Sequence, residues 1–121
     1  MPVVTLFTNV PKDEAHDKDF AKKLSAAAAA ALSKPEPYLM TVINTGTTMT
    51  MAGSDDPCAC IKIASIGAVT PDMNKVTCTQ LTELVSAEYK IDKARVFIDM
   101  YDVDSNMIGL GGQMFDVILG K

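Results

Sequence analysis

Pro2 follows Met1 directly and opens an apolar run, Pro2-Val3-Val4-Thr5-Leu6-Phe7. Cells commonly remove an initiator methionine that precedes a small residue such as proline. Its removal here leaves a prolyl secondary amine as the chain end. A terminus held in a sheet is ordered, unlike most termini. An ordered amine beside a pocket can act as a general base. The plain structural alternative is a strand-start proline, whose missing N–H costs nothing. Lys34 closes the first helical pattern. A cation there suits the helix dipole and could also sit beside the prolyl amine. Ser65-Ile66-Gly67 ends a strand pattern in mid-chain. Its glycine terminates the strand, and the Ile66 backbone N–H is a donor that could point into a pocket.

Other chemistries find less support. His16 is the sole histidine and lies among Asp13, Asp17 and Lys18 early in a helical pattern, where a solvated residue is expected. Cys58-Ala59-Cys60 places two thiols on one face of a strand, a geometry that disfavours a short disulfide. Zinc needs about four ligands, and no second Cys/His cluster exists. Cys58, Cys60 and Cys78 therefore read as free thiols, and no metal or cofactor is expected.

The elements that must position these groups form two similar halves. Val3 to Thr8 alternates as a strand. Pro11-Lys12-Asp13-Glu14 carries helix-start chemistry, an early proline followed by acids. Phe20, Leu24, Ala27, Ala28, Ala31 and Leu32 recur at helical spacing, so a helix runs to about Ser33. Lys34-Pro35-Glu36-Pro37 ends it, because proline cannot continue a helix. Tyr38 to Asn44 is the next strand. The second half repeats the order: strand Ala59 to Ser65, helix start Thr70-Pro71-Asp72, a helix through Val76, Leu81, Leu84, Val85 and Tyr89, and strand Ala94 to Tyr101. A flexible turn at Gly109, Gly111 and Gly112 precedes a final short strand, Met114 to Leu119. The fold class is α/β (α+β): two βαβ repeats forming a four-stranded mixed sheet with two helices on one face. Strands that read as apolar on both faces (Ile61, Ile63, Ile66; Val96, Ile98, Met100) leave one face needing a partner copy, so an oligomer is expected.

Composition narrows the partners. A chain of 121 residues is one domain, spanning residues 1–121. A net charge of −4 gives no basic footprint for nucleic acid. No apolar run reaches the roughly 20 residues of a membrane span, so no membrane insertion is expected. No basic region opens the chain as a secretory signal would. Cytoplasmic synthesis with reduced thiols is the expectation, with export by a route lacking a signal peptide left open.

Met1-Pro2, Thr8-Asn9-Val10-Pro11, Lys34-Pro35, Tyr38, Gly53-Ser54-Asp55-Asp56-Pro57-Cys58-Ala59, Ser65-Ile66-Gly67, Asn74 and Arg95-Val96-Phe97-Ile98 form one spaced set over almost the whole chain. On these residues the chain resembles the macrophage migration inhibitory factor and D-dopachrome tautomerase family of the tautomerase superfamily. The resemblance implies a homotrimer around a central channel, with an active site at each subunit interface. It implies a keto–enol tautomerase for phenylpyruvate-like or dopachrome-like substrates, with the Pro2 amine as general base. Lys34 and the Ile66 N–H would hold the substrate carboxylate and developing enolate. Ser65 lies beside them, and Tyr38, Val103, Ile108 and Phe115 would line the pocket, part of it from a neighbouring subunit. The small aromatic 2-keto acid and the other subunits are then the partners.

Departures from the family pattern qualify this expectation. Phe97 and Asp99 stand where the vertebrate cytokine has tyrosine and asparagine. A carboxylate at Asp99 near Pro2 would favour the protonated amine, and one pKa unit costs about 1.4 kcal/mol, or tenfold in neutral base. Lys34 could offset this by pairing with Asp99, which would leave it less free for substrate. Leu110 replaces an aromatic residue at the pocket mouth. The family's Cys-x-x-Cys is broken to Cys-x-Cys, with Ile61 where the second cysteine would be. The alternative reading is a secreted cytokine-like protein that binds a cell-surface receptor and keeps weak or vestigial tautomerase activity.

Overall fold

The computed structural model describes residues 1–120. Strand β1 (Pro2–Thr8) leads through helix α1 (Glu14–Leu32) to β2 (Met40–Asn44). Strand β3 (Ala59–Ser65) leads through α2 (Pro71–Tyr89) to β4 (Val96–Asp102). Each helix joins two parallel strands, and β1 and β3 pair antiparallel, giving the sheet order β2-β1-β3-β4. The expected mixed four-stranded sheet of two βαβ units is the one observed.

Period-two and period-four patterns build this arrangement. Pro2, Val4, Leu6 and Thr8 of β1 are buried, as are Ala59, Ile61, Ile63 and Ser65 of β3. Alternate residues share a sheet face, so these eight point the same way, onto the helices. The helices answer with stripes at four-residue spacing: Phe20, Leu24, Ala28 and Leu32 on α1, Thr77, Leu81, Val85 and Tyr89 on α2. The Asp13 carboxylate accepts the His16 N–H at the start of α1, and the Thr70 hydroxyl accepts the Met73 N–H at the start of α2. Both are N-caps for otherwise unpaired donors. Both helices end in a left-handed residue, Ser33 at φ 52° and Lys90 at φ 56°. That turn directs Lys34 back towards the sheet.

The loop before β3 is fixed by polar side chains. The Arg95 guanidinium donates to the carbonyls of Met51, Ser54, Asp56 and Pro57. Asn9 donates to the carbonyls of Asp55 and Asp56 and accepts the Cys58 N–H. The shared Asn9, the segment Gly53 to Ala59 and Arg95 thus set the entry of β3, not the chemistry.

Two expectations are corrected. Met114 to Leu119 is not a strand. Gly109–Leu110 (β5) pairs with Gln113–Met114 (β6) in a small hairpin, and Phe115–Ile118 forms the one-turn helix α3. Gly111 and Gly112 both have positive φ, 64° and 86°, as a two-residue hairpin turn whose twist matches its strands requires. The buried Phe115 then anchors the turn of helix against the fold. Secondly, the sheet is not apolar on both faces. Ile61, Ile63, Val96, Ile98 and Met100 all pack on the helix side, and Ile66 lies beyond β3. The open face carries Val3, Thr5 and Phe7, then Cys60, Lys62 and Ala64, then Phe97, Asp99 and Tyr101. It is mixed, with the Lys62–Asp99 ion pair at 2.9 Å in its middle.

His16 is partly exposed and bridges the two helices. Its Nε2 lies 3.1 Å from Glu88 of α2, and its Nδ1 lies 3.6 Å from Asp17. Asp17 is buried and accepts from Tyr89 Oη at 2.9 Å and from the Thr45 hydroxyl. Lys23 completes the cluster at 3.1 Å from Glu88. The Glu88 hydrogen bond chiefly holds His16 above its ordinary 6.5. The His16 bond, then Lys23, hold Glu88 below 4.5. Burial pushes Asp17 up, but its donors Thr45 and Tyr89 outweigh it and leave it below 3.8. A raised histidine stabilises fully below 6.5 and loses that contribution as pH rises through its folded value. The lowered carboxylates stabilise above their ordinary values and lose it as pH falls. Urea midpoints are therefore expected to be lower at pH 8 than at pH 6. His16→Gln should flatten that difference, which solvent screening limits to about 0.5 kcal/mol. An unchanged slope in the variant would place the titration elsewhere.

Candidate active site at the N-terminal strand

One end of the sheet gathers the start of β1, the end of β3, the end of α1 and the C-terminal helix. Pro2 sits directly opposite Ser65, and Ser65 opposite Asp102. Pro2 and Ser65 are both buried, and the Ser65 hydroxyl has no hydrogen-bond partner. A buried unpaired hydroxyl costs about 1–3 kcal/mol unless something supplies a partner. The Ser65 carbonyl accepts the Val103 N–H at 2.9 Å. Lys34 donates from Nζ to the Ile66 carbonyl at 2.6 Å. The Ile66 N–H points to the Met1 carbonyl at 3.3 Å.

Two cavities flank this point. One of about 280 Å³ is lined by Met1, Lys34, Tyr38, Ile66, Phe115, Ile118 and Leu119. The other, about 320 Å³, is lined by Met1, Val3, Tyr38, Met40, Ile108 and Leu110. Tyr38 meets Phe115 edge to face with centroids 6.2 Å apart. Met1 and Tyr38 line both cavities. Burial, then the Lys34 ammonium, hold the Met1 amine below its ordinary 8.0.

Pro2, Lys34, Tyr38, Ser65, Ile66, Ile108 and Phe115 thus come together within one chain. Val103 contributes a backbone N–H and is not a wall of either cavity. Phe97 and Asp99 do not join them. Phe97 is level with Cys60 and Asp99 with Lys62, along β4 from Asp102, which is the residue level with Pro2. Asp99 takes Lys62 as its counter-ion and not Lys34. Phe97 is 63% exposed on the open face. Met1, Met40, Ile118 and Leu119 were not foreseen as walls, and Asp102 was not foreseen at all. Strand register would have found Asp102, since it closes β4 opposite the end of β3. Among the described residues no group of three or more His, Cys, Asp or Glu side chains is placed to hold a metal ion, and no helix is long and apolar enough to cross a membrane.

The profile of the macrophage migration inhibitory factor family matches residues 1–116. The chain belongs to the macrophage migration inhibitory factor family. It is 37% identical over 115 residues to the macrophage migration inhibitory factor homolog of Brugia malayi, covering 95% of this chain and 99% of the relative. It is 33% identical over 118 residues to macrophage migration inhibitory factor of Xenopus laevis, covering 95% and 99%. Among solved structures, the macrophage migration inhibitory factor homologue from Prochlorococcus marinus superposes with a TM-score of 0.88 at 26% identity, over 93% of this chain and 98% of that one. Macrophage migration inhibitory factor of Toxoplasma gondii gives 0.87 at 28%, over 93% and 99%. The family match ends at Asp116 and so includes the lining of both cavities except Ile118 and Leu119.

Proposed function

We propose that this protein is a keto–enol tautomerase whose base is the Pro2 amine, freed by removal of Met1. Its substrates are aromatic 2-keto acids of the phenylpyruvate type or dopachrome-like molecules. The observation that carries this reading is the place of Met1. Its carbonyl occupies the Ile66 N–H, and the residue lines both cavities. Removing it exposes the prolyl nitrogen and a donor for an anion in one cleft walled by Tyr38 and Phe115.

The steps follow from those atoms. The neutral prolyl nitrogen takes a proton from the carbon beside the keto group. The electron pair of that C–H bond forms the C=C bond, and the keto oxygen becomes an enolate. The prolinium then returns the proton to that oxygen, giving the enol, and the reverse order gives the keto form. A base must be neutral at working pH. Burial and the Lys34 charge both disfavour the protonated amine, as they do for the Met1 amine. The Ile66 N–H and the Lys34 ammonium stabilise the carboxylate and the developing oxyanion in a site shielded from water.

The homotrimer enters here as well. Phe97 and Asp99 lie on the open sheet face, away from Pro2 of their own chain, so they reach a site only across a subunit boundary. Lys62 neutralises Asp99 in place, which removes most of its expected effect on the base. The second reading, a secreted cytokine-like protein that binds a receptor, draws on the names of the relatives and is compatible with the first. Replacement of Pro2 tests the enzyme. Pro2→Gly, processed to the new terminus, should lose about a hundredfold in kcat/KM for phenylpyruvate with the fold intact. Undiminished turnover would remove Pro2 from the mechanism.

A further inference from the structure

The peptide group between Ile66 and Gly67 is held at both ends by opposite charges. Its carbonyl accepts from the Lys34 ammonium at 2.6 Å. Its N–H donates to the Asp102 carboxylate at 3.1 Å. In a trans peptide the C=O and N–H point in opposite directions, so the cation meets the negative end of the peptide dipole and the anion the positive end. Charge-assisted bonds of this kind are stronger than neutral ones. Rotating that one peptide plane would break both bonds together. Rotation is a real alternative here, because Gly67 sits at φ 74° and glycine takes positive or negative φ with similar ease. Ala68 follows at φ 62°, a conformation that an alanine adopts only under constraint. The preceding plane is also fixed, through the Ser65 carbonyl and the Val103 N–H.

We propose that Asp102 is a positioning residue that makes the Pro2 cleft selective for carboxylate-bearing ligands. It does so by locking the Ile66–Gly67 peptide, which in turn fixes the Lys34 ammonium beside the Ile66 N–H. The proposal rests on the reading of that cleft as the substrate site. Asp102 touches no ligand itself. Its carboxylate lies behind the peptide, and its effect passes through Gly67. Without it the Gly67 N–H loses its acceptor, the plane is free to turn, and Lys34 loses the carbonyl that aims it. A neutral ligand held only by the aromatic walls would not register the change.

The test is calorimetric binding of 4-hydroxyphenylacetate and of its methyl ester, on protein whose N-terminus is confirmed by mass as Pro2. Neither probe carries a keto group, so binding is read without turnover. Asp102→Ala should weaken the acid about tenfold and the ester less than about twofold, as loss of one charge-assisted contact implies. Asp102→Asn keeps an acceptor for the Gly67 N–H and should recover most of the acid affinity. Hydrogen exchange at the Gly67 amide should quicken in the alanine variant and not in the asparagine variant. Equal loss for acid and ester, or no loss for either, would overturn the role of Asp102, as would Gly67 exchange that ignores the alanine change. Failure of the unmodified protein to bind the acid would overturn the substrate-site reading itself, and the proposal with it.

Discussion

A single alanine inserted between Met1 and Pro2 is expected to abolish tautomerase turnover while leaving the fold unchanged. The added residue makes the Pro2 nitrogen an amide, which has no basicity in water. General-base catalysis supplies about 10²–10⁴-fold in rate, and that factor should disappear. The carbonyl before Pro2 would again take the Ile66 N–H, as the Met1 carbonyl does at 3.3 Å. The inserted backbone would also fill space where Met1 now lines cavities of about 280 and 320 Å³. Three losses thus share one cause. The β1 ladder begins at Pro2 opposite Ser65 and is untouched, so circular dichroism and thermal midpoint should match the unmodified chain. Phenylpyruvate turnover within about tenfold of the processed protein would mean that another group is the base.

Lys34→Met carries the second large effect. The substitution keeps the aliphatic stem and removes the ammonium. It leaves the Ile66 carbonyl without its partner at 2.6 Å, in a half-buried position. Hydrogen bonds to charged groups are worth about 1.5–3 kcal/mol, so kcat/KM for phenylpyruvate should fall about 10–100-fold. The loss should appear mainly in KM if Lys34 binds the carboxylate in ground and transition states alike, and mainly in kcat if it acts on the enolate. The methyl ester should separate the two roles, since it lacks the carboxylate but still forms an enolate. Lys34→Arg should not restore activity, because a planar guanidinium cannot reproduce a compact point charge in that position. Parallel kinetics on acid and ester check this, and an unaffected acid rate would contradict it.

Much of the scaffold was legible because its signals are periodic. The alternation of β1, the four-residue stripes of α1 and α2, and the prolines at Pro11, Pro35 and Pro71 each report a local preference that the tertiary fold keeps. The meeting of Pro2 and Lys34 follows from the same order, since a parallel βαβ unit returns its helix end to the start of its first strand, and Ile66 joins them because β3 runs antiparallel to β1. The C-terminal segment was less legible. Phe115-Asp116-Val117-Ile118 has the composition of a strand. Its helical turn is set by the burial of Phe115 and by backbone bonds from Phe115 and Asp116 to Ile108 and Ser105, which no local pattern announces. The face of each apolar strand residue was open to a period-two reading. Ile61, Ile63, Val96, Ile98 and Met100 share one parity within their strands and hence one face. Without register, Lys34 is a candidate partner for Asp99. Pairing Asp99 with Lys62 follows at once from β3 and β4 lying parallel with Ala59 beside Val96.

The central claim is that a neutral prolyl amine removes the substrate proton. The pH dependence of kcat/KM for phenylpyruvate, on protein with a mass-confirmed Pro2 terminus, tests it most directly, because that profile reports the ionisation of the free base. The account predicts turnover that rises with pH and levels through an apparent pKa below that of a free prolyl amine, since burial and Lys34 already hold the Met1 amine below its ordinary value. Pro2→Gly should lower that plateau. A profile flat from about pH 5 to 9, or no turnover from the processed and folded protein, would contradict the account and leave the signal-protein reading in its place.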